Sequence, residues 1–181
     1  MPIYISIKYN SSRRLAERGN MEDIRIYKSP IGYTLVKAQY GYITKIKILE
    51  DNELYFYSTN KKEDKENNKI LKVCIKQLEE YFFGTRKKFN FRFKNLGTEF
   101  RENVWKEIEK VPYGNTISYK ELARLINNPK AVRAVGGANH NNNIWIVVPC
   151  HRIIGSDGSL TGYGGGLWRK EWLINHEKHH T

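Results

Sequence analysis

Three observations predict an α/β (α+β) chain in two parts, β-rich to residue 92 and helical, with a helix-turn-helix, from residue 93. Short runs of β-branched and aromatic residues alternating with polar ones crowd the first half. Helical spacing of apolar residues takes over in the second half. Two short helical segments there flank a tight turn.

The strand expectations are IYISIKY (Ile3 to Tyr9), DIRIYKS (Asp23 to Ser29), YTLVKAQ (Tyr33 to Gln39), YITKIKIL (Tyr42 to Leu49) and LYFY (Leu54 to Tyr57). Ser29-Pro30-Ile31-Gly32 and Tyr40-Gly41 are the turn signals between them. Asn60 to Asn68 is a charged loop. Ile70 to Gly84 spaces Ile70, Val73, Leu78, Tyr81 and Phe82 as a helix does and stops at a glycine, with Cys74 in its core. The basic stretch Thr85 to Asn95 then leads to the helical part.

There, Thr98 caps a helix to Val111 with Phe100, Val104, Trp105 and Ile108 on one stripe, ended by Pro112-Tyr113-Gly114. Ser118 and Glu121 form the capping-box pattern of a short helix to Ile126. Asn127-Asn128-Pro129 turns the chain, with Pro129 in the first turn of a helix over Lys130 to Asn142. That second helix contains AVGGA (Ala134 to Ala138), too small to read major-groove base edges. Two readings stand level: close packing against another element, or close approach to a groove with Arg133 as the one long side chain. The domains expected are an N-terminal extension over 1–20, a β-rich domain over 21–92 and a helical acceptor domain over 93–181, with Met21 a candidate initiator.

At 181 residues the chain can bury a core without staples. Its two cysteines, Cys74 and Cys150, form no disulfide framework and no CxxC pattern, which suits a reducing compartment. No apolar run approaches the roughly 20 residues of a membrane span, and the first twenty residues lack a signal-peptide core. Cytoplasmic residence is expected, or nuclear in a eukaryote. Lys and Arg total 31 against 19 Asp and Glu, a net charge of +12 that favours a polyanion such as nucleic acid, although a lysine-rich proteome gives the same excess.

IVVPCHRII (Ile146 to Ile154) places Cys150 after an apolar run read as a strand (Ile144 to Val148) and before His151 and Arg152. Burial as a small core residue is one reading. An activated nucleophile is the other, because a neighbouring imidazole and cation lower a thiol's pKa, and Glu177 is a carboxylate able to orient the base. His140, His151, His176, His179 and His180 lack metal-ligand spacing. The loop GSDGSLTGYGGG (Gly155 to Gly166) lacks phosphate-cradle spacing but suits the wall around a flat ligand, with Tyr163 as a stacking face.

PCHR (Pro149 to Arg152), preceded by NPKAVRAVGGANHNN (Asn128 to Asn142) and followed by SLTGYGGGLWRKEWLINHE (Ser159 to Glu177), resembles the methylated-DNA–protein-cysteine methyltransferases. The likeness runs without gaps from about Phe100 to Glu177 and more loosely back to Asp23. It implies a ribonuclease-H-like N-terminal domain and an alkyl-acceptor domain that repairs O6-alkylguanine in duplex DNA after base flipping, with O4-alkylthymine a second candidate substrate. Cys150 is then the acceptor and His151 its base, held by Glu177, while Asn142 orders the site's loop. Tyr119 assists nucleotide rotation and Arg133 fills the space of the flipped base. Lys120, Asn128 and Ser156 contact the DNA backbone. Tyr163, Gly164 and Gly165, with the backbone of Cys150 and Ile153, wall the guanine pocket. The helix with AVGGA enters the minor groove. No cofactor or metal is required, and the protein acts once, as a monomer, away from membranes.

Gly164 stands where many members carry a serine, which removes a hydroxyl donor to the guanine oxygen, and the zinc ligands of some relatives have no counterpart. The alternatives are an alkyltransferase-like lesion binder, whose acceptor cysteine is replaced, a helix-turn-helix regulator, and a Cys-His-Glu hydrolase that would turn over.

Overall fold

Antiparallel pairing organises the first half of this computed structural model, which describes residues 4–7, 22–59 and 68–181. Four strands, β1 (Tyr4–Ile7), β2 (Asp23–Ser29), β3 (Gly32–Gln39) and β4 (Tyr42–Ile48), form one sheet in sequence order. Ser29 makes the first hairpin turn, donating from Oγ to the Gly32 carbonyl at 2.7 Å and accepting from Ile31 N–H at 3.3 Å. Tyr40 and Gly41 both take positive φ, +52° and +75°, the backbone that a two-residue hairpin needs to match strand twist. The expected strand at Ile3 to Tyr9 is present as β1 on the sheet's edge. The remainder of residues 1–20, and the charged stretch Asn60 to Asn68 except Asn68, lie outside the described residues.

LYFY is helical, not extended: α1 runs Asp51–Thr59. Asp51 and Glu53 occupy its first turn, where carboxylates complement the exposed N–H groups. Leu54 and Tyr57, three apart, pack on the cluster of Ile24, Ile26, Leu35 and Leu49. Tertiary packing and the acidic start override aromatic β-propensity. On the opposite face lies α2 (Lys69–Phe82), capped by Asn68, whose Oδ1 accepts from Ile70 and Leu71 N–H. Its buried stripe is Leu71, Cys74, Ile75, Leu78 and Tyr81, one step out of phase with the expected Ile70 and Val73. Val73 is exposed instead. Gly84, with φ +76°, ends the helix.

Contacts divide the chain into units of Met1–Lys94 and Asn95–Thr181. The second unit holds α3 (Glu99–Glu109), β5 (Ile117–Ser118), α4 (Tyr119–Leu125), α5 (Val132–His140), a 3-10 turn (Cys150–Arg152), β6 (Ile153–Ile154) and α6 (Leu167–His179). Thr98 caps α3, and Ser118 with Glu121 forms a complete capping box on α4. Trp105 of α3 is buried and donates from Nε1 to the Ala138 carbonyl of α5 at 2.8 Å. A Cβ at Gly97 would sit 2.7 Å from that indole, so the ring can lie there only over a glycine. Helices α4 and α5 form the helix-turn-helix. Pro129 lies ahead of α5 in a turn closed by Ala131 N–H to Asn128 O at 3.0 Å, so the helix begins two residues later than Lys130. No described helix is long and apolar enough to cross a membrane.

Candidate active site

The Cys150 thiol sits on a wound loop rather than at a strand end. Ile144 to Val148 is a tight turn, closed by Val148 N–H to Ile144 O at 2.9 Å, with Ile146 at φ +73°. A β-branched residue holds that conformation only where its surroundings enforce it. Asn142 is the enforcing group. Buried, it donates from Nδ2 to Val148 O at 2.8 Å, and its Oδ1 accepts from Ile144 N–H at 2.9 Å and from Asn95 Nδ2 at 2.9 Å. Its carbonyl accepts from Trp145 Nε1 at 2.8 Å. Cys150 then opens the 3-10 turn, buried, with its N–H bonded to Val148 O at 2.8 Å.

His151 and Arg152, the next two residues of that turn, both reach Glu177 on α6. His151 Nε2 lies 2.7 Å from Glu177 Oε1. Arg152 donates from Nε to Oε2 at 2.8 Å, from Nη2 to Oε1 at 2.9 Å, and from Nη1 to Val111 O at 2.6 Å. Gly114 N–H adds a fourth bond to the carboxylate at 3.1 Å. Burial alone would raise the Glu177 pKa. The charge and hydrogen bonds of His151 and Arg152 outweigh it and hold the group well below the usual carboxylate range. Glu177 is therefore an anion fixed by a forked guanidinium. Burial, foremost, keeps His151 below its ordinary pKa of 6.5 against the pull of that anion. With Nε2 engaged by the carboxylate, Nδ1 is the ring atom left to take a proton, and it has no hydrogen-bond partner among the described residues.

The thiol is not preionised. Burial pushes the Cys150 pKa up to about 11, against smaller opposing contributions from Asn142 and Lys170. Sequence proximity suggested that Arg152 would lower it, but the guanidinium is committed to Glu177 and Val111. A protonated thiol requires a base at the moment of reaction.

Around the thiol, Asn139 of α5 is buried and donates from Nδ2 to Tyr119 Oη and to Cys150 O, each at 3.3 Å, so that α4, α5 and the 3-10 turn meet in one side chain. Tyr119 Oη donates to Thr161 O at 3.3 Å. Lys170 of α6 is fully buried and donates to Ile153 O at 2.6 Å and Thr161 O at 2.7 Å, tying the residue beneath the site to the glycine-rich loop. Burial lowers its pKa to about 8. Tyr163 is buried against Trp145, with ring centroids 5.3 Å apart. A Cβ on Gly164 would lie 3.3 Å from the Trp145 ring, and one on Gly165 2.8 Å from it. A side chain at 164 would press on the indole, which would have to give by a few tenths of an ångström, whereas one at 165 would clash outright.

Cys150, His151, Glu177, Asn142, Tyr119, Ile153, Tyr163, Gly164 and Gly165 are thus joined through these contacts. Lys120, Asn128, Arg133 and Ser156 are not part of that cluster; they lie exposed on α4, the inter-helix turn, α5 and the loop after β6. The glycines of AVGGA serve no close packing within the protein: a Cβ at Gly137 would meet nothing within 4 Å, and one at Gly136 only Tyr119 Cε1 at 4.0 Å. Asn139, Trp145 and Lys170 escaped the sequence reading. Lys170 carried a signal, since it shares the buried stripe of Leu173, Ile174 and Glu177, where a cation is out of place.

Comparison with known proteins gives the family. Residues 24–94 match the ribonuclease-like domain of 6-O-methylguanine DNA methyltransferase, and residues 99–179 match its DNA-binding domain. A methylated-DNA–protein-cysteine methyltransferase of Mycolicibacterium paratuberculosis is 39% identical over 161 residues, which is 89% of this chain and 95% of the relative. One from Methanosarcina barkeri is 49% identical over 113 residues, 62% of this chain and 72% of the relative. The crystal structure of Mycobacterium tuberculosis O6-methylguanine methyltransferase superposes with a TM-score of 0.75 at 37% identity, covering 89% of this chain and 95% of that one. The same organism's protein in complex with DNA gives 0.72 at 37% identity, covering 86% and 92%. This chain belongs to the O6-methylguanine DNA methyltransferase family.

Proposed function

We propose that the protein repairs duplex DNA by direct reversal, moving a methyl or other alkyl group from guanine O6 to Cys150 Sγ, once per molecule and as a monomer. The observation that carries this reading is the buried Cys150 thiol beside an imidazole whose Nε2 is held by an ionised Glu177 and whose Nδ1 is open to a proton. His151 Nδ1 removes the thiol proton, directly or through a water. The sulfur's electron pair becomes the S–C bond as the C–O6 bond breaks; the C–O6 bonding pair leaves on guanine, which takes up one proton, while the imidazolium releases the proton it took from the thiol. Base and acceptor end neutral, and no redox partner or metal enters the balance. The product thioether is a poor leaving group, so nothing regenerates the thiol.

Supporting roles follow from position. Asn142 holds the loop that carries Cys150. Tyr163, Gly164, Gly165 and the Ile153 backbone bound the place for a base turned out of the helix. Arg133, exposed at the start of α5, fills the vacated stack. Tyr119, Lys120, Asn128 and Ser156 take the phosphate backbone. The exposed small face of α5 allows close approach to a groove. Lys170, a buried cation, favours the thiolate as it forms.

The test is stoichiometric. Protein is mixed with excess duplex carrying labelled O6-methylguanine, and label per chain is counted. A plateau at one, on the peptide containing Cys150, supports the assignment. Continued turnover, label on Cys74, or tight binding without transfer refutes it.

A further inference from the structure

The charge of the chain lies in an unexpected place. The second unit, which carries the DNA-binding domain match, holds eleven Lys and Arg against eight Asp and Glu. The first unit holds twenty against eleven. The densest part is residues 69–94, with eight cations and only Glu79 and Glu80 to offset them.

The structure sorts six of those cations into two exposed rows. Lys69, Lys72 and Lys76 share the outer face of α2 at spacings of three and four. In the segment after the helix, Phe89, Phe91 and Phe93 are turned inward while Lys88, Arg92 and Lys94 alternate with them outward. Phe91 is buried, and Phe89 packs against Tyr81 and Phe91. Phe93 pairs with Ile43 of β4, through Ile43 N–H to Arg92 O and Lys94 N–H to Ile43 O, each at 2.9 Å. Gln77 and Asn90 bond reciprocally, side chain to side chain and Asn90 N–H to Gln77 Oε1 at 3.0 Å, which fastens the segment to α2. Lys76 and Lys88 each lie within two residues of that join. Ion pairs in this unit join Lys37 to Glu22, Lys47 to Glu53 and Arg86 to Glu80; Lys88 and Arg92 take part in none of these three.

A rigid frame thus holds cations outward without local neutralisation. Such a surface has a long-range potential for a polyanion, and the gain on binding is release of the polyanion's counterions. We propose that Lys69, Lys72, Lys76, Lys88 and Arg92 form a second, sequence-independent phosphate-binding surface on the N-terminal unit, with duplex DNA as its partner. DNA is favoured because this protein must find a rare base among undamaged sequence, while its helix-turn-helix unit has little net charge for capture. The proposal goes beyond the alkyl-transfer reading and takes from it only the identity of the polyanion.

The experiment compares the full chain with its K88Q/R92Q variant on a short undamaged duplex. Lys94 is left in place because its ammonium sits 4.1 Å over the Tyr42 ring. The slope of log K against log salt should become shallower by about 1.8, roughly 0.9 for each phosphate contact removed. Alkyl transfer from the free base O6-methylguanine, which has no phosphates, should be unchanged, which separates failure of this surface from failure of the site. If the double variant melts early, K88Q alone decides, with an expected change of about 0.9. An unchanged slope overturns the proposal. So does an unchanged slope together with charge-dependent binding to phosphatidylserine vesicles, which would assign the surface to a membrane.

Discussion

Gly137→Ala separates the two readings of AVGGA in one molecule. In the free protein the added Cβ meets nothing within 4 Å, and Gly137 has ordinary helical backbone. Alanine is favoured over glycine inside a helix by roughly 1 kcal/mol. In a chain of this size that raises Tm by about 2–4 °C. On DNA the outcome reverses. If the exposed face of α5 lies against a groove, the methyl intrudes at the closest approach, and overpacking of that kind costs about 1–3 kcal/mol. Affinity for duplex should then fall roughly five- to 150-fold while transfer from the free base is unaffected. Thermal melts, a duplex titration and single-turnover transfer read all three quantities. A more stable variant with unchanged duplex affinity would refute the groove reading, and a destabilised one would restore intramolecular packing.

Further outcomes test the relay and the pocket. Glu177→Gln leaves a buried guanidinium and imidazole without their anion and should cost about 3–5 kcal/mol. Because the Glu177 pKa is depressed in the folded protein, its stabilisation is complete above its ordinary 4.5 and is lost as pH falls below that value. Acid melts of the wild type should therefore be steeper there than those of the variant; parallel curves would remove the ion pair from the account. The single-turnover rate should show no tenfold rise per pH unit from 6.5 up toward the Lys170 pKa of about 8, because His151 is already neutral there, and should fall only at more acidic pH, once the lowered His151 pKa is passed. His151→Ala should instead climb with pH toward the thiol pKa of about 11, and identical profiles would exclude the imidazole as base. Trp145→Ala empties the space beside Tyr163 and Gly164, so transfer of a benzyl group should accelerate relative to methyl; an unchanged ratio would place the alkyl group elsewhere.

What could be read from the sequence was what is settled locally. Thr98 and the Ser118–Glu121 box are short-range bonds between a side chain and its own helix, and both are where the pattern put them. The Tyr40-Gly41 turn was equally visible because few residues accept its backbone. LYFY was misread because its packing partners, Ile24 and Leu35, lie far away in sequence. In α2 the expected Leu78 and Tyr81 are buried, but the first two turns bury Leu71 and Ile75 in place of Ile70 and Val73, which are as apolar. The turn over Ile144 to Val148 carries no glycine at its left-handed position, since Asn142 holds it from outside. At the site, the pairing of His151 with Glu177 was legible, but the state of the thiol was not: burial and the diversion of Arg152 to Glu177 are properties of the fold alone.

The four bonds converging on Glu177 also shape how this protein can change over generations. One carboxylate holds the His151 imidazole and gathers Gly114, Arg152 and α6 into a single knot. A substitution there forfeits rate and foldedness together, leaving no gradual path through weakened intermediates. Variation in speed or range must instead enter through groups that touch the site without holding the knot, such as Trp145 and the loop of Tyr163 and Gly164. The relay is thereby tied to the mechanics of the fold, whereas a change at Trp145 leaves the bonds to Glu177 in place.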